Sequence, residues 1–176
     1  YEAMLMLDDA HGIGVMGANG RGTAEHYNCL GQIDIITGTF SKSFGCVGGF
    51  AAASKKIIQY LKFYADSNVF SAAPTPQVTA SILKALEIIK KEPQIRNKLW
   101  ENTNYLRKRL KEEGFDIGKS VSPIFPIMIR DNKKVYEIAK MLQEKGIFTI
   151  GIVYPAVRTK EARLRVSVLA THKLAS

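Results

Sequence analysis

Lys42 lies in a loop of small residues between two runs that favour β-strands, 34–38 before it and 48–53 after it. A lysine in such a place is hard to explain by packing, because lysines usually extend from solvated faces. If it were partly desolvated beside a cofactor carbonyl, its amine could be held uncharged and form a Schiff base. The neighbouring hydroxyl groups of Thr39 and Ser41 could hold an anion such as phosphate.

A second group of polar side chains follows the apolar run 3–7, which is typical of a buried strand. Asp8, Asp9 and His11 come directly after this run, and open α/β sheets bind ligands at the carboxyl ends of their strands. A carboxylate there could keep a pyridine nitrogen protonated, and a protonated pyridine ring takes up the electrons of a substrate carbanion. Pyridoxal-phosphate chemistry needs a carboxylate of this kind.

Five segments of the chain resemble the α-oxoamine synthase family of pyridoxal-phosphate enzymes, which belongs to the aminotransferase-like fold group. The segments follow the family's order and approximate spacing over nearly the whole chain, a much more specific signal than one TxxK loop. They are 8–11 (DDAH), 20–22 (GRG), 39–45 (TFSKSFG), 70–74 (FSAAP) and 162–167 (ARLRVS).

The resemblance implies a role for each polar residue near the cofactor. Lys42 would carry pyridoxal phosphate and move the Cα proton of the substrate. Asp8 would pair with the pyridinium nitrogen, and His11 would bond the phenolic oxygen of the ring. Thr39 would hold the phosphate group. Asp9 would be an ordinary acid at a strand end, bonded to loop backbone.

Two further matches concern the neighbouring subunit and the substrate. Ser71 matches a phosphate contact that the family supplies from the other subunit, which implies a homodimer with shared active sites. Many relatives follow that serine with threonine, and Ala72 stands here, so one hydroxyl contact would be missing or replaced. Arg165 matches the arginine whose fork clamps the substrate carboxylate. Strand alternation puts Arg163 on the same face, so the choice between the two arginines stays open.

The implied reaction is the condensation of an amino acid with an acyl-CoA to give an α-amino ketone. Segments 38–49 and 60–63 are most similar to the family members that use serine and palmitoyl-CoA in sphingolipid synthesis. Segment 8–15 is equally similar to those that use alanine and a pimeloyl thioester for biotin, and the glycine-using acetyltransferases come third. A non-catalytic partner subunit is the alternative, but such a chain would lack the Schiff-base lysine.

Composition limits the class of protein. The chain has 176 residues, 46% of them apolar, without the run of about 18 apolar residues that a membrane span needs. Its two cysteines have no metal-binding spacing, which favours a reduced, cytoplasmic protein. The net charge of +9 comes without a nucleic-acid-binding motif. The basic residues are therefore interpreted as a solvated helix face. If the charge has a role, an anionic acyl-CoA or a membrane surface would suit it better than a nucleic acid.

The pattern of elements predicts an α/β fold. Residues 1–94 would be the C-terminal portion of an aminotransferase-like (fold type I) large domain, and 95–176 a small C-terminal α+β domain. Strands are predicted at 3–7, 33–37, 48–53, 124–129, 147–152 and 162–169, helices at 23–27, 55–65, 76–91, 94–113 and 133–145, and an extended segment at 68–73. The apolar stripe of helix 76–91 is predicted to be core.

We also expect the chain to be a fragment that lacks an N-terminal part. It opens on Tyr1-Glu2, one step before a strand, without an initiating methionine. Such a fragment would bind pyridoxal phosphate weakly and would have no turnover of its own.

Overall fold

The computed structural model describes residues 3–173. It consists of two compact units, Tyr1–Arg96 and Asn97–Ser176. The division falls within a long helix, α5 (Pro93–Glu112). The assignment of these units to a large cofactor-binding domain and a small domain stays a prediction.

The sheet of the first unit has three strands in the order β1 (Met6–Asp8), β2 (Ile35–Thr39) and β3 (Gly49–Ala53). β1 runs parallel to β2, with Asp8 opposite Thr37. β3 returns antiparallel to β2. Because β1 and β2 are parallel, their carboxyl ends meet at one edge, where open α/β sheets bind ligands.

β2 begins and ends two residues later than the predicted strand 33–37. Thr39 is therefore the last residue of the strand, paired with Gly49, and does not belong to the following loop. Its place in the ladder fixes the backbone from which the Lys42 loop departs.

Four helices of the described chain lie wholly within this unit. They are α1 (Thr23–His26), α2 (Lys55–Tyr64), α3 (Asp66–Val69) and α4 (Pro76–Lys91). Ser54 Oγ accepts a hydrogen bond from Ile57 N at 3.5 Å, and Thr75 Oγ1 accepts one from Val78 N at 3.4 Å. These N-caps satisfy backbone donors of α2 and α4. The prediction of an extended segment at 68–73 was wrong at its start, because α3 continues to Val69.

The apolar runs of this unit are less buried than predicted. Met6 of β1 is 67% exposed, and Leu83 of α4 is 62% exposed. α4 is described over its whole length and contains no buried residue. Apolar periodicity shows which face of an element can be buried, but it does not show how much of that face this chain covers.

The second unit has an antiparallel sheet in the order β4 (Ile124–Met128), β6 (Arg163–Ser167) and β5 (Ile150–Ile152). Helix α6 (Asn132–Glu144) packs on it, and its N-cap Asp131 accepts a hydrogen bond from Lys134 N at 3.0 Å. β5 begins three residues later than predicted, and a short 3-10 helix at Thr159–Glu161 was not predicted.

The core of the second unit forms between α6 and the strand β6. Val135 and Ala162 are fully buried, and Leu164 is 2% exposed. The burial of Leu164 leaves Arg163 and Arg165 together on the other face of β6, as the predicted alternation requires.

Within residues 3–173, no helix is long and apolar enough to cross a membrane. The same residues contain no cluster of histidine, cysteine, aspartate or glutamate side chains that could hold a metal ion.

Candidate active site

The loop 40–48, which carries Lys42, is closed at its base by its own hydrogen bonds. Phe40 N donates to Gly48 O at 2.9 Å, and Cys46 N donates to Phe40 O at 2.7 Å. The Thr39 hydroxyl donates to Gly48 O at 3.1 Å and accepts from Ser41 N at the same distance. This frame presents the exposed side chain of Lys42 from a defined backbone.

Aromatic rings pack beside this frame. Phe40 lies edge-on to Phe44, with ring centroids 5.2 Å apart, and 5.4 Å from the ring of Phe50. A Cβ atom added to Gly38 would lie 2.6 Å from the Phe50 ring, so this position in β2 needs glycine. The rings therefore help to fix the two strands from which the Lys42 loop extends.

The adjacent acids Asp8 and Asp9 have opposite environments. Asp9 is 3% exposed, and its carboxylate accepts hydrogen bonds from Thr23 N at 2.8 Å and Thr23 Oγ1 at 2.6 Å. Cβ atoms added to Gly12 and Gly22 would lie 1.9 and 1.8 Å from its oxygens. Asp8 is exposed, and its Oδ1 accepts from Ala10 N at 3.0 Å. Asp9 thus has a structural role, whereas Asp8 is exposed to solvent.

The glycine-rich loop 12–22, which follows the exposed His11, is held by side chains from two helices. Glu25 of α1 accepts from Asn19 Nδ2 at 2.7 Å and from Arg21 N at 2.9 Å. Arg96 of α5, which is 9% exposed, donates to Ala18 O at 2.5 Å. Sequence reasoning missed Glu25 and Arg96. The many glycines of this loop could have indicated such contacts, because glycines let other side chains approach the backbone closely.

The pKa of Glu25 reflects these contacts. Burial alone would raise it, but hydrogen bonds from the Asn19 side chain and from the backbone of Arg21 and Asn19, with the Arg21 charge, lower the pKa below its ordinary value of 4.5. A carboxyl group with a lower pKa in the folded state stabilises the fold above the unfolded pKa. This contribution is lost as the pH falls through the folded pKa.

We therefore expect Glu25→Gln to destabilise the protein by about 1 kcal/mol at neutral pH, because Gln cannot accept all these hydrogen bonds. The difference from the unsubstituted protein should shrink as the pH falls below about 4.5, the ordinary glutamate value. Urea unfolding at pH 7 and pH 3.5 measures both quantities, with Glu144→Gln at the exposed end of α6 as control. A difference that is the same at both pH values would contradict this role of Glu25.

Ser43 joins the Lys42 loop to the glycine-rich loop. Its Oγ donates to Ile13 O at 2.7 Å. A Cβ atom added to Gly14, whose φ is +79°, would lie 2.7 Å from Ser43 Oγ. The segments that follow the carboxyl ends of β1 and β2 are thus in direct contact.

The whole chain, residues 1–176, matches the protein family described as aminotransferase class I and II. The chain belongs to this family. The predicted aminotransferase-like fold is confirmed by solved structures as well. A structure of SPT with a PLP internal aldimine superposes with a TM-score of 0.91 at 32% identity, over 99% of this chain and 44% of that one. Serine palmitoyltransferase of Sphingomonas wittichii superposes with a TM-score of 0.91 at 29% identity, over the same shares of the two chains.

Curated members of the family confirm the resemblance to α-oxoamine synthases. This aminotransferase-family chain is 50% identical over 172 residues to serine palmitoyltransferase of Sphingobacterium spiritivorum. It is 47% identical over 172 residues to 8-amino-7-oxononanoate synthase of Petrotoga mobilis. The alignments cover 98% of this chain but 43% and 44% of those two proteins. The chain therefore spans less than half the length of these relatives.

The structure places most of the predicted site residues of this family member at one edge of the sheet. Asp8 ends β1, Thr39 ends β2, and the loops that leave these two ends carry the others. The residues on these loops are His11, Ser41 and Lys42.

Two predicted site residues lie elsewhere. Ser71 follows α3, is exposed, and its hydroxyl donates to Ser67 O. Arg165 belongs to β6 of the second unit, opposite Pro126 of β4. Its neighbour Arg163 donates from Nε to Glu161 O at 2.6 Å. The roles of Ser71 and Arg165 stay predictions.

Proposed function

We propose that this chain is the part of an α-oxoamine synthase that carries the cofactor lysine. The whole protein would condense an amino acid with an acyl-CoA, most like serine palmitoyltransferase. The observation that carries the proposal is the position of Lys42 and Asp8. Both extend from the shared carboxyl edge of a parallel strand pair, Asp8 at the end of β1 and Lys42 on the loop after β2.

The residues at this edge fit pyridoxal phosphate in their chemistry. Thr39 Oγ1 and Ser41 Oγ lie 2.8 Å apart, and Ser41 N donates to Thr39 Oγ1 at 3.1 Å. Two hydroxyls and a backbone N–H are thus grouped here, and they would exchange these bonds for bonds to the oxygens of a bound phosphate. Asp8 offers an exposed carboxylate to a ring nitrogen, and the exposed His11 offers a donor to a phenolic oxygen. When bound, pyridoxal phosphate supplies an electron sink for a substrate carbanion.

Lys42 has two proposed tasks at this edge. Its Nζ is the point at which the cofactor is attached, and after displacement by the substrate amine it takes up and returns the Cα proton. Asp8 keeps a proton on the ring nitrogen, because a carboxylate favours the protonated form of a nearby base. The closed base of the loop 40–48 fixes the two ends of the segment that carries Lys42.

The proposed reaction forms one carbon–carbon bond between the amino acid Cα and the acyl carbonyl carbon. Coenzyme A leaves as the thiol, the amino acid carboxylate leaves as carbon dioxide, and one proton is taken up. This balance needs no oxidant or reductant. Members that use glycine would omit the loss of carbon dioxide or run in the cleavage direction.

Arg165 is the proposed clamp for the substrate carboxylate. Arg163 donates from Nε to Glu161 O at 2.6 Å. Both arginines lie on the same face of β6, opposite the buried Leu164. The choice of Arg165 therefore rests on the match of segment 162–167 to the family, because the orientation of the two side chains does not separate them.

Arg165→Lys is expected to raise the KM for the amino acid about tenfold, because lysine cannot form the paired hydrogen bonds of a guanidinium. The KM for acyl-CoA should change by less than about twofold. Steady-state kinetics with each substrate varied in turn measure both values, and Arg163→Lys is the matched control on the same strand. A larger effect on the amino acid KM from Arg163→Lys would reverse the assignment.

The proposed assembly is a homodimer with shared active sites, to which Ser71 of each subunit contributes a phosphate contact. Ala72 occupies the next position, so this contact would rest on one hydroxyl. A non-catalytic partner subunit is a weaker proposal, because Lys42, Asp8 and His11 are all present. The cytoplasmic location also stays a prediction.

A second candidate function is that of 8-amino-7-oxononanoate synthase. The identity of 47% to the Petrotoga mobilis enzyme, against 50% to the Sphingobacterium spiritivorum palmitoyltransferase, favours it almost as strongly. The two functions share the lysine and the cofactor and differ in the amino acid and the acyl chain. Substrate tests therefore separate them.

The deciding experiment measures release of free coenzyme A by the full-length protein after loading with pyridoxal phosphate. Palmitoyl-CoA with L-serine, pimeloyl-CoA with L-alanine, and acetyl-CoA with glycine are compared, each with and without the amino acid. Serine-dependent release from palmitoyl-CoA supports the palmitoyltransferase function, and alanine-dependent release from pimeloyl-CoA supports the synthase. No dependence on any of these amino acids would contradict the proposed condensation.

A further inference from the structure

Ser43 connects the two segments that carry the proposed catalytic side chains. It directly follows Lys42, and its Oγ donates to Ile13 O at 2.7 Å. Ile13 lies two residues after His11, on the segment that leaves the carboxyl end of β1. The hydrogen bond therefore spans from the Lys42 loop to the His11 segment.

The Ile13 side of this contact is a fixed anchor. Ile13 forms a bridge with Arg21, and Gly14 N donates to Gly20 O at 2.8 Å. Ile13 N in turn donates to Asp9 O at 3.1 Å, next to the strand β1. A hydroxyl bonded to Ile13 O is thus tied to a backbone that cannot move far without breaking several other bonds.

The Lys42 side is less constrained. The bonds from Thr39 and Phe40 close the base of the loop 40–48, and Lys42 and Ser43 lie beyond them. One further bond in this part joins Gly45 N to Lys42 O at 3.0 Å and stays within the loop. A contact to a second, fixed segment is what would define the direction of Lys42.

The shape of the contact agrees with this arrangement. Gly14 has a φ of +79°, and a Cβ atom added there would lie 2.7 Å from Ser43 Oγ and 2.8 Å from Ser43 Cβ. The absence of a side chain at Gly14 is therefore what lets Ser43 approach Ile13 O. Ser43 and Gly14 form a matched pair across the two loops.

We infer that Ser43 is a positioning residue, which sets the place of Lys42 relative to the His11 segment through its hydrogen bond to Ile13 O. The inference rests on the proposed function of Lys42. Ser43 is exposed, so water competes for this bond and its loss should have a moderate effect. The proposed role requires no contact between the Ser43 side chain and a reacting atom.

The test compares Ser43→Ala, Ser43→Thr and a control in the full-length protein loaded with pyridoxal phosphate. Ser43→Ala should lower kcat about fivefold and leave the amino acid KM within about twofold, because the alignment of the base is lost and substrate binding is kept. The pH midpoint of the visible absorption band, which reports the environment of Lys42 Nζ, should move by roughly 0.3 pH unit or more. Ser43→Thr, which keeps the hydroxyl, should restore both quantities.

The control is Ser81→Ala in α4, where the hydroxyl donates to Gln77 O at 2.9 Å within the helix. It should change neither kcat nor the pH midpoint. A mainly structural role for Ser43 would lower thermal stability without moving the midpoint, and that result would overturn the inference. An unchanged kcat in Ser43→Ala would overturn it too.

A separate measurement distinguishes failure of this inference from failure of the proposed function. Borohydride reduction followed by peptide mass spectrometry shows whether the unsubstituted protein carries the cofactor on Lys42. Labelling at Lys42 with no effect of Ser43→Ala removes only the positioning role. Absence of labelling at Lys42 removes the proposed function and the inference together.

Discussion

Lys42→Ala is expected to lower the kcat of the full-length protein by at least about a thousandfold, the largest effect of any single substitution proposed for this chain. The substitution removes both the attachment point of the cofactor and the group that moves the Cα proton, and a positioned base alone contributes about 100- to 10,000-fold. Folding should be unaffected, because the Lys42 side chain is exposed on its loop. Coenzyme A release and thermal unfolding measure the two quantities.

The control for this substitution is Lys56→Ala, another exposed lysine of the same unit, on α2. It should keep full activity and, after borohydride reduction, should keep the cofactor label on the peptide that contains Lys42. Lys42→Ala should lose that label. If the kcat of Lys42→Ala stayed within tenfold of that of the unsubstituted protein, another group would have to transfer the proton.

Secondary structure was predictable where local chemistry decides it. Ser54 and Thr75 begin helices because their side chains accept hydrogen bonds from backbone donors of the first turn. The end of β2 was placed two residues early, because Gly38 interrupts the apolar run, although Thr39 still pairs with Gly49. Pairing between strands is set by the partner strand, which a single run of residues does not reveal.

Burial was harder to predict than secondary structure. The stripe of α4 has helical spacing, yet its Leu83 is 62% exposed. The chain spans less than half the length of its curated relatives. The sequence of an apolar face does not show which segment, if any, packs against it. The second unit was predicted better, since β6 and α6 supply both sides of their own core, around Leu164 and Val135.

The sequence suggests which residue types could form the candidate site, whose roles stay predictions, but it does not reveal the side chains that support the site. Lys42 and Asp8 are proposed because a lysine among small residues and an acid at a strand end are unusual positions with a known chemistry. Glu25 and Arg96 were missed because both bind the backbone of the glycine-rich loop. Arg96 is distant from this loop in the sequence, and no motif links Glu25 to it. Such contacts depend on the path of the glycine-rich loop, which its sequence does not specify.

Asp8 is exposed and Asp9 is buried, so the same change from aspartate to asparagine is expected to affect turnover at Asp8 and stability at Asp9. Asp8→Asn keeps an acceptor for Ala10 N but removes the charge proposed to hold a proton on the ring nitrogen. We expect kcat to fall about a hundredfold or more, by analogy with the loss of one preorganised electrostatic group. The free energy of unfolding should change by less than about 0.5 kcal/mol, because Asp8 is exposed.

Asp9→Asn is expected to show the reverse pattern. Both oxygens of the buried Asp9 accept hydrogen bonds from Thr23, and an asparagine keeps only one of these acceptors because its NH₂ group is a donor. The substitution should therefore cost about 1 to 2 kcal/mol of unfolding free energy, while kcat per folded molecule falls by less than about fivefold. Urea unfolding and turnover corrected for the folded fraction measure both effects in both variants.

If Asp9→Asn abolished turnover in the folded protein and Asp8→Asn did not, the two carboxylates would have to exchange their proposed roles. The buried carboxylate would then be the one that acts on the cofactor, and the glycine-rich loop would have to open to admit it.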